Sequence, residues 1–137
     1  MSTIAAAIRP MLLAPAVRWL ALLALCAAYI QGGLQKALDF PGALAEMRHF
    51  GLEPAAPLAI ATIALELGAA AMILAGRGRA VGALALAGFT VMATLVANRF
   101  WEMAGIERFM AANAFFEHLG LAGAFVLVAV TDMAARR

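Results

Sequence analysis

The stretch Trp19–Phe40, WLALLALCAAYIQGGLQKALDF, decides the fold class. From Trp19 to Ile30 it carries no charge and shows no period-2 alternation. In hydrocarbon every backbone amide must be satisfied within its own segment, so such a run is a membrane-spanning helix. The run closes on Gln31, Gln35, Lys36 and Asp39, polar groups placed where a span should meet water. Two readings of Lys36 and Asp39 follow: charges that touch the water edge, or charges held inside a site.

The rest of the chain agrees with lipid as its solvent. Its 137 residues are 66% apolar and only 13% charged. Soluble domains are nearer half apolar and about a quarter charged. A soluble fold of this size could not hide so much apolar surface. The net charge of +2 excludes little by itself, but the ten Lys and Arg residues form no basic stripe and mostly flank apolar runs, which argues against nucleic acid as a partner. The single cysteine, Cys26, lies mid-span and reads as a small buried apolar residue; no intramolecular cysteine pair is available for disulfide exchange. The N-terminal segment has arginines at 9 and 18 and an apolar stretch too long for a signal-peptide core, so it reads as leading into a retained first span.

Four apolar segments are expected as spans, at about 15–38, 57–75, 80–97 and 112–134, within one membrane domain covering 1–137. Each is roughly 18–24 residues, enough to cross about 30 Å of hydrocarbon at 1.5 Å per residue. The expected fold is all-α: a polytopic four-transmembrane-helix bundle with short interfacial helices on the outer side. Gly and Ala recur through the spans, and small faces let membrane helices approach closely. The connection AGRGRAVG, Ala75–Gly82, is short enough to make the second and third spans antiparallel neighbours. With Arg9, Arg18, Arg136 and Arg137, its Arg77 and Arg79 put six of the ten basic residues on one side, with Asp132 as the only acid beside them. The other side mixes Lys36, Arg48, Arg99 and Arg108 with Asp39, Glu46, Glu53, Glu102 and Glu107. The excess of Lys and Arg on cytoplasmic loops then places both termini in the cytoplasm. PGALAEMRHFGLEP (41–54) groups Leu44, Met47 and Phe50, and WEMAGIERFM (101–110) groups Ile106, Phe109 and Met110. Both read as short interfacial helices forming a lid, or as loops with a belt aromatic.

Polar groups inside or at the ends of spans are Gln31, Gln35, Lys36, Asp39, Glu66, Asn98, Arg99, Glu117 and His118. Glu66 lies nine residues past Pro57, about 14 Å down and near the midplane; Glu117 and His118 lie about 7–9 Å below the outer end of the fourth span. All fall in the outer half of the bundle. A charge at the bilayer centre costs at least about 2.5–3.5 kcal/mol, so Glu66 should face inward and either carry a proton or pair with Lys36 or Arg99. That pair is either a structural tie between spans or part of a pocket open to the outer side. Asp39, Arg99 and Glu117 could equally snorkel, and His118 could be a satisfied core histidine. His49 and His118 have no metal-ligand spacing, so no metal is expected.

GGLQKALDF, FGLEP, LELGAAAMILAGRGRAVGALALAGFTVMATL, NRFW and FFEHLGLAGAFVLVAV, in this order and spacing, resemble the DoxX family of small bacterial four-helix membrane proteins over about residues 12–131. The resemblance implies a bundle laid out like the vitamin K epoxide reductase type, in the bacterial inner membrane. For some members it also implies a link to quinone-coupled sulfur oxidation, quinol oxidases or oxidative-stress complexes. Lys36 and Glu66 match the family's lysine and acid. The family's His-x-Phe-Trp at the end of the third span reads Asn98-Arg99-Phe100-Trp101 here, and its Lys-Asn in the fourth reads Glu117-His118. Either positions 98 and 118 face each other and the histidine has changed helix, or this chain has lost the usual chemistry.

The resulting expectation is a redox-linked, quinone-associated subunit with a polar pocket in the outer half. Glu66 and His118 are the candidate catalytic groups; Gln31, Gln35, Lys36, Asn98, Arg99, Trp101 and Glu117 are candidate ligand contacts. Tyr29, Phe40, Phe100, Trp101 and Phe116 are candidates to flank a ring. The chain has no redox centre of its own, so quinone is the candidate cofactor and a redox or periplasmic protein the candidate partner, with the lipid bilayer as solvent and a homo-oligomer as one arrangement. The alternatives are a non-catalytic scaffold whose buried charges are structural and, ranked last, a small-solute carrier.

Overall fold

The computed structural model of the chain describes residues 2–137. It is all-helical: α1 (Thr3–Leu12), α2 (Pro15–Leu38), α3 (Phe40–His49), α4 (Ala55–Ala75), α5 (Arg79–Ala97), a 3-10 turn (Phe100–Glu102) and α6 (Gly105–Ala135). α2, α4, α5 and α6 are each long and apolar enough to cross a membrane.

Local chemistry sets the boundaries. Pro15 opens α2, where its missing N–H costs nothing. The Asp39 carboxylate ends one helix and caps the next, accepting the Gly42 N–H at 3.0 Å. At α4 the N-cap is Pro54, which has no side-chain cap; the preceding Glu53 carboxylate accepts the N–H of Ala55, the first helical residue, at 2.9 Å. The α4–α5 turn needs two residues with positive φ and has glycine at both, Gly76 at +73° and Gly78 at +67°.

α2 packs on α4, α4 on α5 and α5 on α6, while α3 lies across α4 and α2. One end of the bundle gathers the end of α2, α3, the start of α4, the end of α5, the 3-10 turn and the start of α6. The other gathers α1, the α4–α5 turn and the C-terminus. The core is built of small residues around a few large ones: Ala69, Ala70, Ala83, Ala87, Ala122 and Ala129 surround Phe125, Ile73 and Leu86. Tyr29 meets Phe125 edge-on, with centroids 5.3 Å apart. At Gly82 a Cβ would sit 2.8 Å from the Ala69 carbonyl oxygen, so α4 and α5 touch backbone to backbone there. Leu84, Leu127 and Val130 point outward, which is natural against lipid and costly against water.

Three features differ in detail from the expectation. Residues 3–12, read as a flank, form the separate helix α1. Residues 101–110 divide between the 3-10 turn and the first turns of α6, which runs unbroken into the span. At 31 residues α6 is about 46 Å long, more than the hydrocarbon core, so it tilts or carries its first turns outside. Asp132, read only as an acid beside arginines, is buried. It pairs with Arg136 Nε at 3.0 Å and Arg79 Nη1 at 3.8 Å. Arg136 also donates to the Gly76 carbonyl and Arg79 to that of Ile73, both at 2.9 Å, which closes this end.

Candidate functional site

At the opposite end the helices enclose a cavity of about 350 Å³. Its position follows from packing. On α2, Tyr29, Gly33 and Lys36 recur at helical spacing on the inward side. Gly33 admits α4 so closely that a Cβ there would lie 2.7 Å from Leu67 Cγ. That approach brings Lys36 Nζ to 3.5 Å from Glu66 Oε2. Lys36 Nζ also lies 3.9 Å from Glu46 Oε2 on α3. One ammonium thus serves two carboxylates and ties three helices. The Lys36 and Glu66 side chains are 14% and 8% exposed, and Glu46 is 46% exposed. Arg99, the other cation considered for Glu66, pairs instead with Glu102 at 2.5 Å on the surface.

Asn98 and His118 also line this cavity, from α5's end and from α6. Nδ1 of His118 lies 2.6 Å from the Ala114 carbonyl oxygen. A carbonyl only accepts, so Nδ1 carries the hydrogen, and a neutral ring leaves Nε2 as an acceptor. Asn98 Nδ2 donates to Thr94 Oγ1 at 3.1 Å, leaving its carbonyl oxygen free. Thr90 donates to the Leu86 carbonyl at 2.6 Å, so the Tyr29 hydroxyl, 2.5 Å from Thr90 Oγ1, is the donor in that pair. Both hydroxyl hydrogens are therefore used within the protein, and the Tyr29 oxygen can only accept. Met47, Phe50, Phe89, Met92 and Leu121 supply apolar walls. The groups with capacity left are the Lys36 ammonium, two carboxylates, His118 Nε2, the Asn98 oxygen and, as an acceptor, the Tyr29 oxygen. The arrangement suits a molecule with a small oxygen-bearing head and an apolar body.

Of the candidate site residues, Lys36, Glu66, Asn98 and His118 come together here. The structure does not bring the others to the cavity. Gln31 and Gln35 are exposed on the far side of α2 and hydrogen-bond to each other at 2.9 Å. Glu117 is exposed. Asp39 caps α3. Trp101 packs with Phe100 and Phe115 at centroid distances of 5.2 and 5.7 Å, in an aromatic cluster that includes Phe116. Of the proposed ring-flanking aromatics only Tyr29 lines the cavity, whereas Phe40 packs against the α3–α4 cluster. Phe50 is expected only on the face of a lid helix, and Glu46, Phe89 and Thr90 are not among the candidate site residues. Glu46 has one signal: it precedes Met47 on one of the two connections that read as a lid over the outer half of the bundle. Among the described residues no three His, Cys, Asp or Glu side chains gather as a metal site.

The family model described as DoxX matches residues 17–99, from the start of α2 to just past α5, and so takes in Lys36, Glu46, Glu66, Thr90 and Asn98 but not His118. No curated protein and no solved structure matches the chain. With well over half its length matched and four helices of spanning length, the chain belongs to the DoxX family and is a multi-pass membrane protein.

Proposed function

We propose that the protein is a redox-linked membrane subunit that binds a quinone or quinol head in the cavity beside Lys36. The observation that carries this is the buried Lys36–Glu66 pair, opening with His118 and Asn98 onto a cavity otherwise walled by Met, Phe and Leu. The Lys36 ammonium would donate to a ring oxygen. His118 Nε2, left an acceptor by the Ala114 contact, would take a hydroxyl hydrogen from the quinol form, and Glu66 would pass a proton on. A bound quinone supplies the two-electron chemistry, and the electrons come from or go to a protein partner. The distribution of arginines supports a bacterial inner-membrane location with both termini and the α4–α5 turn in the cytoplasm, so that the cavity lies towards the periplasm.

Lys36 spanning Glu46, Glu66 and its own helix also favours a second reading, a scaffold in which the charges only hold α2, α3 and α4 together. Mass spectrometry of small molecules that co-purify in nanodiscs separates the two. The redox reading expects near one quinone per native chain, with loss from folded Glu66→Gln and from folded His118→Gln, which leaves the ion pair intact. An empty native protein, with Lys36→Met and Glu66→Gln merely less stable, supports the scaffold and rejects quinone binding.

A further inference from the structure

We infer that α2 pairs with α2 of a second copy of this chain in the membrane, through a ring of four glutamine amides. Gln31 and Gln35 are exposed on the side of α2 away from buried Leu22, Cys26, Tyr29 and Gly33. Gln31 lies seven residues before the end of this 24-residue helix, about 10 Å below it and within hydrocarbon depth. Carboxamides at that depth need partners, because lipid supplies none.

Within one chain the need is half met. Gln31 Nε2 donates to Gln35 Oε1 at 2.9 Å. Gln31 Oε1 and Gln35 Nε2 keep their hydrogen-bonding capacity, one an acceptor and the other a donor. A two-fold axis along the membrane normal turns that remainder into its own complement. Gln35 Nε2 of each copy donates to Gln31 Oε1 of the other, and the two internal bonds close the ring. Exchanging O and N on all four amides reverses the ring and leaves it intact. The surface around the amides fits the same partner. Leu23, Ala27, Ile30 and Leu34 recur at spacings of three and four along a shallow apolar groove, the seam of a helix pair. A lipid tail would fill the groove but leave the amides unpaired, and a different protein would need its own matching pair of groups.

The test is disulfide cross-linking in lipid vesicles, with energy transfer between labelled copies as lipid dilution is varied. Cys26 is fully buried and does not interfere. Ala27→Cys, Ile30→Cys and Leu34→Cys should each give a covalent dimer, while Leu127→Cys, 66% exposed on α6, should not. Gln31→Leu/Gln35→Leu removes both inter-chain bonds and should weaken association roughly tenfold to a hundredfold, with Cys26 still protected from thiol reagents. A monomer at every dilution, equal cross-linking at Leu127, a dimer undiminished by the double substitution, or cross-linking only to a protein of another mass would each overturn the inference.

Discussion

Gly33→Ala tests how the cavity's ion pair is built. The added Cβ would lie 2.7 Å from Leu67 Cγ, 2.8 Å from Leu67 Cδ2 and 3.3 Å from Glu66 Cβ. Carbon atoms rest about 3.5–4.0 Å apart, so α2 and α4 must separate by roughly 1 Å at this crossing. Leu67 cannot yield by swinging its tip, because the branching carbon itself is in the way. Lys36 Nζ is one turn further along, 3.5 Å from Glu66 Oε2. The same shift takes that pair to about 4.5 Å, beyond direct contact. Overpacking of this kind costs about 1–3 kcal/mol. Gly68→Ala is the matched control, since a Cβ there meets nothing within 4 Å. Cys26, the sole cysteine and fully buried, provides the readout: its labelling by a thiol reagent during denaturant unfolding in mild detergent reports loss of the bundle. Gly33→Ala should lose about 1–3 kcal/mol, whereas Gly68→Ala should hold native stability or gain up to about 1 kcal/mol from alanine's better helix propensity. Equal stability of the two variants would refute the claim that the bare backbone at Gly33 sets the helix spacing.

Three further outcomes follow from the same geometry. Lys36→Met strands Glu66, 8% exposed, beside Glu46 and should cost about 3 kcal/mol or more; adding Glu66→Gln should restore at least about 1 kcal/mol, and a double variant no more stable than the single one contradicts the pairing. Asp132→Asn loosens two arginines at the far end, and unfolding should show a loss of about 1–3 kcal/mol while any bound small molecule is retained in co-purification; loss of that molecule from a folded variant would contradict the separation of the two ends. Tyr29→Phe keeps the edge contact with Phe125 and removes the hydrogen bond to Thr90, so the same unfolding assay should read a loss of about 0.5–1.5 kcal/mol.

The spanning helices were legible because lipid leaves few options: a long apolar run must be helical, and hydropathy alone finds it. The Lys36–Glu66 pair was legible for a related reason, since an acid at that depth demands a cation and Lys36 is near in depth. Depth says how far down a side chain lies but not which way it faces. One residue is a 100° step around a helix, so Gln35 joins Gln31 on the lipid side while its neighbour Lys36 turns inward. Glu46 lies in a connection with no depth of its own, and only the fold of α3 over α4 brings it to Lys36. The tie of Arg79 to Asp132 joins helices 53 positions apart in the chain and leaves no periodic trace. The apolar spacing of Ile106, Phe109 and Met110 fits a separate interfacial helix and an extension of α6 equally well; only the unbroken backbone from Gly105 decides between them.

The two ends of the bundle hold buried ionic groups of different chemistry, and the contrast bears on where a ligand could act. At the Asp132 end the carboxylate meets two guanidiniums, and those guanidiniums also bind the carbonyls of Ile73 and Gly76. Arginine's fixed fork suits such a closed arrangement, and α4, α5 and α6 are locked by it. At the Lys36 end one ammonium lies 3.5 Å from one carboxylate and 3.9 Å from another, both beyond the roughly 2.7–2.9 Å of a strong charged hydrogen bond. An ammonium that stands between two carboxylates, beside a cavity with apolar walls, keeps hydrogen-bonding capacity for a third oxygen. The Asp132 end lacks that spare capacity: its guanidiniums, at 3.0 and 3.8 Å from the carboxylate, also donate to backbone carbonyls, whereas the Lys36 ammonium meets only the two carboxylates.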